Sequence, residues 1–215
     1  MKVGIIGSAG VGQILAKAFY AEGHEVKLGT RDINKQGLES FKQENTDIKV
    51  VSFSDAAKFG ELLVLAVSGE VVHNAVELAG KENFSNKTVI DVTNPIAKEP
   101  PVNGVLKFFT DINESLMEKI QQQIPDAKLV KAFNSVGGYV MYKPKFKDGT
   151  PTMFIAGNDA AAKQTVTDIL TSFGWETEDA GNAAAARAIE PLCILWCISG
   201  FLKNDWYHAF KLLKA

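Results

Sequence analysis

The chain has 215 residues, of which 46% are hydrophobic and 22% charged, with a formal net charge of −2. That balance excludes an intrinsically disordered chain, and the lack of any block of like charge argues against nucleic acid as a partner. Two cysteines, no secretory signal pattern and no uninterrupted apolar run of about 18 residues lead us to expect a soluble, cytoplasmic protein with reduced thiols and no membrane partner.

In chain order, Lys2-Val3-Gly4-Ile5-Ile6 is a short apolar run suited to a strand buried on both faces. Gly7-Ser8-Ala9-Gly10-Val11-Gly12 is a turn. Val11, Ile14, Leu15, Ala18 and Phe19 then recur at the spacing of a helix stripe packed on a sheet. A second strand is expected at 24–28, a polar helix after Lys35 to about Glu44, and a short strand at 48–53. Ser54-Asp55 can cap a brief helix, and residues 61–67 read as a buried strand ending at Ser68. Val71, Val72, Ala75, Val76 and Leu78 mark the next helix, and a strand at 87–92 ends in Thr93-Asn94-Pro95. Residues 97–111, with Pro100-Pro101, lack periodicity and are expected as a surface loop. A helix at 115–124 precedes a strand at 128–133 that feeds Asn134-Ser135-Val136-Gly137-Gly138.

A strand at 152–156, a cap at Gly157-Asn158-Asp159, a helix face of Ala162, Val166, Ile169, Leu170 and Phe173, and a strand at 175–179 complete the sheet. From Asn182 the chain is helical in composition. Residues 192–201 are apolar nearly all round, and Trp206, Tyr207, Phe210, Leu212 and Leu213 continue the pattern. Such a helix is expected to be buried, as a homodimer contact or as a roof over a ligand. The alternation of strands and helices predicts an α/β, Rossmann-type doubly wound fold, mostly parallel, with extra C-terminal strands and a short helical appendage. The dinucleotide-binding domain is placed at 1–181 and the helical segment at 182–215.

The opening turn carries the chemistry. A strand, a Gly-rich turn and a helix bring backbone N–H groups and a helix N-terminus to one point, where a pyrophosphate is held. Regular G-x-G-x-x-G spacing would put glycines at 7, 9 and 12, but position 9 is Ala and position 10 is Gly. Either the methyl of Ala9 is tolerated there or Gly10 provides the close approach. The second strand ends in Thr30-Arg31, with Lys35 beyond, where an acid would accept the ribose 2′-OH of NAD. Arg offers a planar fork and Thr a hydroxyl, which together describe a 2′-phosphate pocket and hence NADP(H).

Ligands of open parallel sheets bind beyond the carboxyl ends of the strands. The candidate positions there are Ala66, Val67 and Ser68, then Asn94 and Pro95, then Ala132, Asn134, Gly137 and Gly138. Asn94 and Asn134 can bond ribose hydroxyls or a carboxamide, Gly137-Gly138 leaves room for a flat ring, and Pro95 would give that ring an apolar wall. No Tyr-x-x-x-Lys pair is seen, no metal-ligand cluster is visible, and His24, His73 and His208 are scattered. Cys193 and Cys197 are read as buried small hydrophobes. A redox site without an evident proton donor suits an acceptor that needs hydride and little acid–base help, such as a flavin-like ring.

These residues resemble a known family. Gly4-Ile5-Ile6-Gly7 with Gly12, Gly23-His24-Glu25-Val26 and Gly29-Thr30-Arg31-Asp32 are similar to the NADPH-dependent deazaflavin-coenzyme (F-420) oxidoreductases. The likeness extends to Val89-Ile90-Asp91-Val92-Thr93-Asn94-Pro95, Val130-Lys131-Ala132-Phe133-Asn134, Phe154 to Asp159, Asp179-Ala180-Gly181, Ala186-Arg187 and Glu190-Pro191. The reductase domains of the six-transmembrane metalloreductases share the pattern. The resemblance implies 2′-phosphate contacts at Thr30, Arg31 and Lys35, and a nicotinamide lined by Ser68, Asn94 and 134–138. The expected activity is hydride transfer between NADP(H) and a planar acceptor such as a flavin or deazaflavin. An imine, ketone or hydroxyacid reductase and a non-catalytic NADP(H) sensor stay open beside it. Arg187 and Glu190 are expected either to order the C-terminal helices or to form a helix-surface ion pair.

Overall fold

A computed structural model describes residues 1–214. Eight strands form one sheet: β1 (Lys2–Ile6), β2 (Glu25–Thr30), β3 (Lys49–Ser52), β4 (Leu62–Leu65), β5 (Thr88–Asp91), β6 (Lys128–Lys131), β7 (Thr152–Gly157) and β8 (Glu176–Asp179). Their order is β3-β2-β1-β4-β5-β6-β7-β8, with every neighbouring pair parallel except β6 and β7. The helices are α1 (Gly10–Ala21), α2 (Glu39–Glu44), α3 (Phe53–Phe59), α4 (Val72–Ala79), α5 (Leu116–Gln123), α6 (Ala160–Ser172), α7 (Ala186–Ile189) and α8 (Pro191–Lys203).

Two cores sandwich the sheet, and the two-residue period of each strand decides which side chain joins which. Val3 and Ile5, Leu62 and Val64, and Val130 face one core with Leu15 and Phe19 of α1 and Val166, Ile169 and Leu170 of α6. Ile6, Leu63, Leu65, Val89 and Leu129 face the other, with Ala56 of α3, Val72 and Val76 of α4, and Met117 and Ile120 of α5. This explains why the strands read as continuous apolar runs. The chain winds outward from β1 to β3 and then returns to place β4 on the other side of β1. That reversal opens a crevice at the carboxyl ends of β1 and β4.

Several local expectations change. The helix expected from residue 35 begins at Glu39, because hydrogen-bonded turns hold Lys35 to Asp32 and Leu38 to Lys35. Phe53 belongs to α3 rather than to the preceding strand. The cap is Ser52, whose hydroxyl accepts the Asp55 N–H, rather than Ser54-Asp55.

The C-terminus departs most. Asn204, in the left-handed region at φ 53°, ends α8, and residues 204–214 are not helical. They run back along β7, where the Phe210 carbonyl accepts the Thr152 N–H at 2.8 Å and the Leu212 N–H donates to Thr152 Oγ1 at 3.1 Å. Nor is α8 buried all round. Cys193, Trp196, Cys197 and Gly200 point inward, whereas Leu195, Phe201 and Leu202 are 57%, 44% and 60% exposed. A helix resting on the end of a sheet has only one face to bury. The 21 residues of Ala183–Lys203 are long and apolar enough to cross a membrane by length and composition, with mean hydropathy 1.5. In this fold they include Glu190, whose carboxylate is paired inside the domain.

Candidate functional site

The turn after β1 is shaped by two glycines that the protein itself requires. Gly7 has φ +135°, and a Cβ there would lie 2.2 Å from the Ala66 carbonyl oxygen. A Cβ on Gly12 would lie 1.9 Å from the Gly7 carbonyl oxygen. Gly10 is different, since a Cβ there would meet nothing within 4 Å. It opens α1 behind Ala9, which offers no side-chain cap, and the first turn carries no acid. The leading N–H groups of α1 are therefore left for an anion, in open space that a side chain at position 10 would fill.

Two cavities meet at this turn and share Ala9, Ala66, Val67 and Ser68. The first, about 420 Å³, is also lined by Gly7, Ser8, Thr30, Arg31, Lys35 and Phe53. The second, about 670 Å³, adds Gly10, Val11, Asn94, Asn134, Gly137 and Gly138. Three expected residues do not line either cavity. Gly12 lies beneath the turn against Gly7, and Ala132 is fully buried in the core. Pro95 is buried behind the surface with its carbonyl bonded to the Phe109 N–H, and Ile96 takes the wall position instead. Ile96, Met141, Cys193, Trp196 and Cys197 complete that wall, none of them singled out as ligand contacts from the sequence.

The first cavity carries the positive charge. The exposed side chains of Arg31 and Lys35 have no hydrogen-bond or ion-pair partner among the described residues. Asp32 turns its carboxylate into its own loop, accepting the Asn34 N–H at 2.9 Å. Thr30 is buried, and its hydroxyl accepts from Ser8 Oγ at 2.9 Å and donates to the Asp32 carbonyl at 3.1 Å. Thr30 thus ties the Gly-rich turn to the end of β2 and sets the position of Arg31.

At the other end, Asn94 Nδ2 donates to the Asn134 carbonyl at 2.7 Å. Asn134 Nδ2 donates to the Ile189 carbonyl at 3.0 Å and to Asn94 Oδ1 at 3.2 Å. The amides thereby stitch the exits of β5 and β6 to α7. Phe133, between them and β6, holds a left-handed φ of 60° while buried, and its N–H donates to Met153 Sδ. Trp196 lies over the backbone here, since a Cβ on Gly137 would come within 2.8 Å of its ring.

Beneath this end lies a network not anticipated from the sequence. Lys131 Nζ is 2.7 Å from Asp91 Oδ2 and 2.9 Å from Glu190 Oε1, with all three side chains at most 2% exposed. It also donates to the Thr93 carbonyl at 2.8 Å, while Asp91 Oδ1 accepts the Thr93 N–H and hydroxyl. Burial alone would push the Lys131 pKa down. The Asp91 and Glu190 carboxylates outweigh it, and the ammonium is held above the ordinary lysine value. Glu190 further accepts the Leu116 and Met117 N–H groups at the start of α5. A signal was present, because Asp91 and Lys131 each interrupt an apolar strand run, and a buried charge needs a partner.

Arg187 and Glu190 do not pair with each other. Arg187 binds Glu118 through two hydrogen bonds of 2.9 and 2.7 Å. His73 turns away from the groove to Gln123, Nδ1 to Oε1 at 2.7 Å. His24 lies at the opposite edge of the sheet beside the N-terminal amine.

Sheet order, crevice and turn define a Rossmann-type nucleotide-dependent reductase domain. The model of the family described as "NADP oxidoreductase coenzyme F420-dependent" matches residues 2–95. A crystal structure of a candidate F420-dependent NADP reductase from Arthrobacter sp. FB24 is 31% identical, covers 100% of both chains and superposes with a TM-score of 0.91. Rat metalloreductase STEAP3 is 27% identical over an alignment 215 residues long that covers 97% of this chain and 40% of the metalloreductase. The chain thus spans less than half the length of the curated relatives it matches. An imine reductase from Streptomyces aurantiacus shares the fold at 15% identity and a TM-score of 0.66, covering 94% of this chain and 63% of that one. The chain belongs to the F420-dependent NADP oxidoreductase family, and it is an NADP-dependent oxidoreductase.

Proposed function

We propose that this chain passes hydride between NADP(H) and a planar acceptor, a flavin or deazaflavin coenzyme. The observation that carries the reading is the division of one groove into a cationic end at Arg31 and Lys35 and an apolar end at Ile96, Met141 and Trp196, joined at the uncapped start of α1. When bound, NADPH supplies the hydride through its nicotinamide ring. Arg31 and Lys35 bind the 2′-phosphate, and Ser8 and Thr30 hold Arg31 in place. The N–H groups of residues 10–12 bind the pyrophosphate. Ser68, Asn94, Asn134 and the backbone of 137–138 orient the ring, and Trp196 and Ile96 exclude water from the face where the acceptor stacks. Catalysis is then mainly a matter of positioning.

The test is a separate titration of NADPH and NADH, followed by FMN, FAD and a deazaflavin while absorbance is followed at the nicotinamide band. NADPH-selective binding with acceptor-dependent oxidation is expected. Oxidation by an imine or ketone that ignores added flavin would move the substrate class. Tight binding with no oxidation by any acceptor would leave a sensor of NADP(H).

We further propose a cytoplasmic homodimer. Leu202 of α8 packs on Gly104 of the 102–105 turn, and Leu195, Phe201, Leu202, Val102 and Val105 are all exposed. A second copy would cover this band. Light scattering should give a dimer that Leu202→Lys splits, and a monomeric wild-type protein would refute the arrangement.

A further inference from the structure

The apolar end of the groove carries a pair of groups that hydride transfer does not use. Cys193 and Cys197 sit one helical turn apart on α8, both free, only 6% and 9% exposed, and both on the wall of the second cavity. Side chains four apart on a helix have Cβ atoms roughly 5–6 Å apart. A disulfide needs about 3.5–4.5 Å between them, so the intact helix holds the sulfurs too far apart to oxidise onto each other. The same span suits a bridge of two sulfur–metal bonds of about 2.3 Å each.

The surroundings favour a soft ion. Cys193 lies in the first turn of α8. The neighbouring Cys193 thiol pulls the Cys197 pKa below the ordinary thiol value against the opposing effect of burial. The neighbouring Cys197 and burial push Cys193 up, while the Lys131 ammonium acts in the opposite direction. Met141 brings a thioether to the same cavity. The carboxylate on the lining, Glu70, is already paired with Lys98 at 3.2 Å. Soft sulfur donors select a monovalent d10 cation over magnesium or calcium.

We propose that Cys193 and Cys197 form a two-thiolate binding site for a soft monovalent cation, copper(I) or silver(I), on the wall of the hydride-transfer cavity. Binding exchanges two S–H bonds for two S–metal bonds and releases two protons. The bis-thiolate complex carries net charge −1, and nothing is oxidised or reduced. A bound cation occupies space in front of the ring-orienting residues and shuts off reduction of the acceptor. This blocking rests on the proposed function, whereas the binding itself does not.

The experiment titrates the reduced full chain anaerobically with copper(I) in competition with bicinchoninate. The protein should withdraw one equivalent and lose both of its two cysteine thiols to a thiol reagent. Cys193→Ser and Cys197→Ser should each abolish retention with the melting temperature unchanged. X-ray absorption on the wild-type protein should show two sulfur neighbours, which decides the matter if a variant fails to fold. No withdrawal from bicinchoninate, or a full equivalent kept by either serine variant, overturns the site. In turnover, one equivalent of copper(I) should abolish acceptor reduction by the wild type and leave Cys197→Ser at its own copper-free rate. Copper bound at the pair with turnover unaffected overturns the blocking alone. Absence of turnover without copper refutes the proposed function, while the copper titration still decides the site.

Discussion

Lys131 in the middle of the sheet and Glu190 at the junction of α7 and α8 form a buried ion pair of 2.9 Å, although they are distant in sequence. The pair joins the strand exits that line the second cavity to the helix carrying its far wall. Asp91 completes a triad with two acids and one base, and the N–H groups at the start of α5 share the excess negative charge through Glu190. Removing one member leaves the others unpaired in the interior.

Lys131→Met should therefore cost about 3–5 kcal/mol of stability, the usual penalty for breaking a buried ion pair. Glu190→Gln should cost less, because its remaining oxygen can still accept from α5. Urea unfolding of both variants checks the order. Equal stability of Lys131→Met and wild type would mean that the triad does not hold α8 in place.

Arg31→Ala should weaken NADPH binding by about 1.5–3 kcal/mol, the range for hydrogen bonds to charged groups, and barely change NADH. Its side chain has no partner in the protein among the described residues, so folding should be unaffected. Calorimetric titration of both nucleotides decides the point. An equal loss for the two would place the 2′-phosphate elsewhere.

Gly10 and Gly12 should respond in opposite ways to alanine. Gly12→Ala puts a methyl 1.9 Å from the Gly7 carbonyl oxygen and should disrupt the packing of β1 against α1. Gly10→Ala meets no protein atom and should raise stability by up to about 1 kcal/mol as a helix substitution. It should nevertheless weaken NADPH binding, because the methyl fills the space in front of the N–H groups. Melting curves with and without NADPH separate the two effects.

Stability should also fall in acid through Glu118. Its hydrogen bonds to Arg187 first, and then those from Ser115, hold its carboxyl below the ordinary glutamate value of 4.5 despite partial burial. The folded pKa lies below the unfolded one, so this contribution is fully present above about pH 4.5. It is lost as pH falls through the folded value. Arg187→Ala should flatten that part of the stability–pH curve, and NMR titration of the Glu118 carboxyl should move toward 4.5. An unchanged Glu118 titration in Arg187→Ala would show that the pair carries no such linkage.

Much of the fold was legible because its determinants are local. The 3.6-residue stripe of α1 and α6, the apolar runs of β1, β4 and β5, and the Gly7 to Gly12 turn each express a short-range preference. The extent of α8 and the path of the tail were less legible. The apolar run at 192–201 and the aromatics from Trp206 onward look alike in composition, yet one is a helix and the other an extended return along β7. What separates them is the left-handed Asn204 and the hydrogen bonds to Thr152, and the latter depend on where β7 lies.

The sequence by itself determined the α/β order, the Gly-rich turn and the cationic end of β2, because each is written in residues adjacent along the chain. Tertiary structure alone decided that Asp91, Lys131 and Glu190 meet, that Asn94 bonds Asn134, and that the apolar cluster of Cys193, Trp196 and Cys197 also walls the groove. Each of these joins elements brought together only when the sheet assembles. Backbone periodicity records which side of a strand or helix is apolar, but not which distant partner that side will meet.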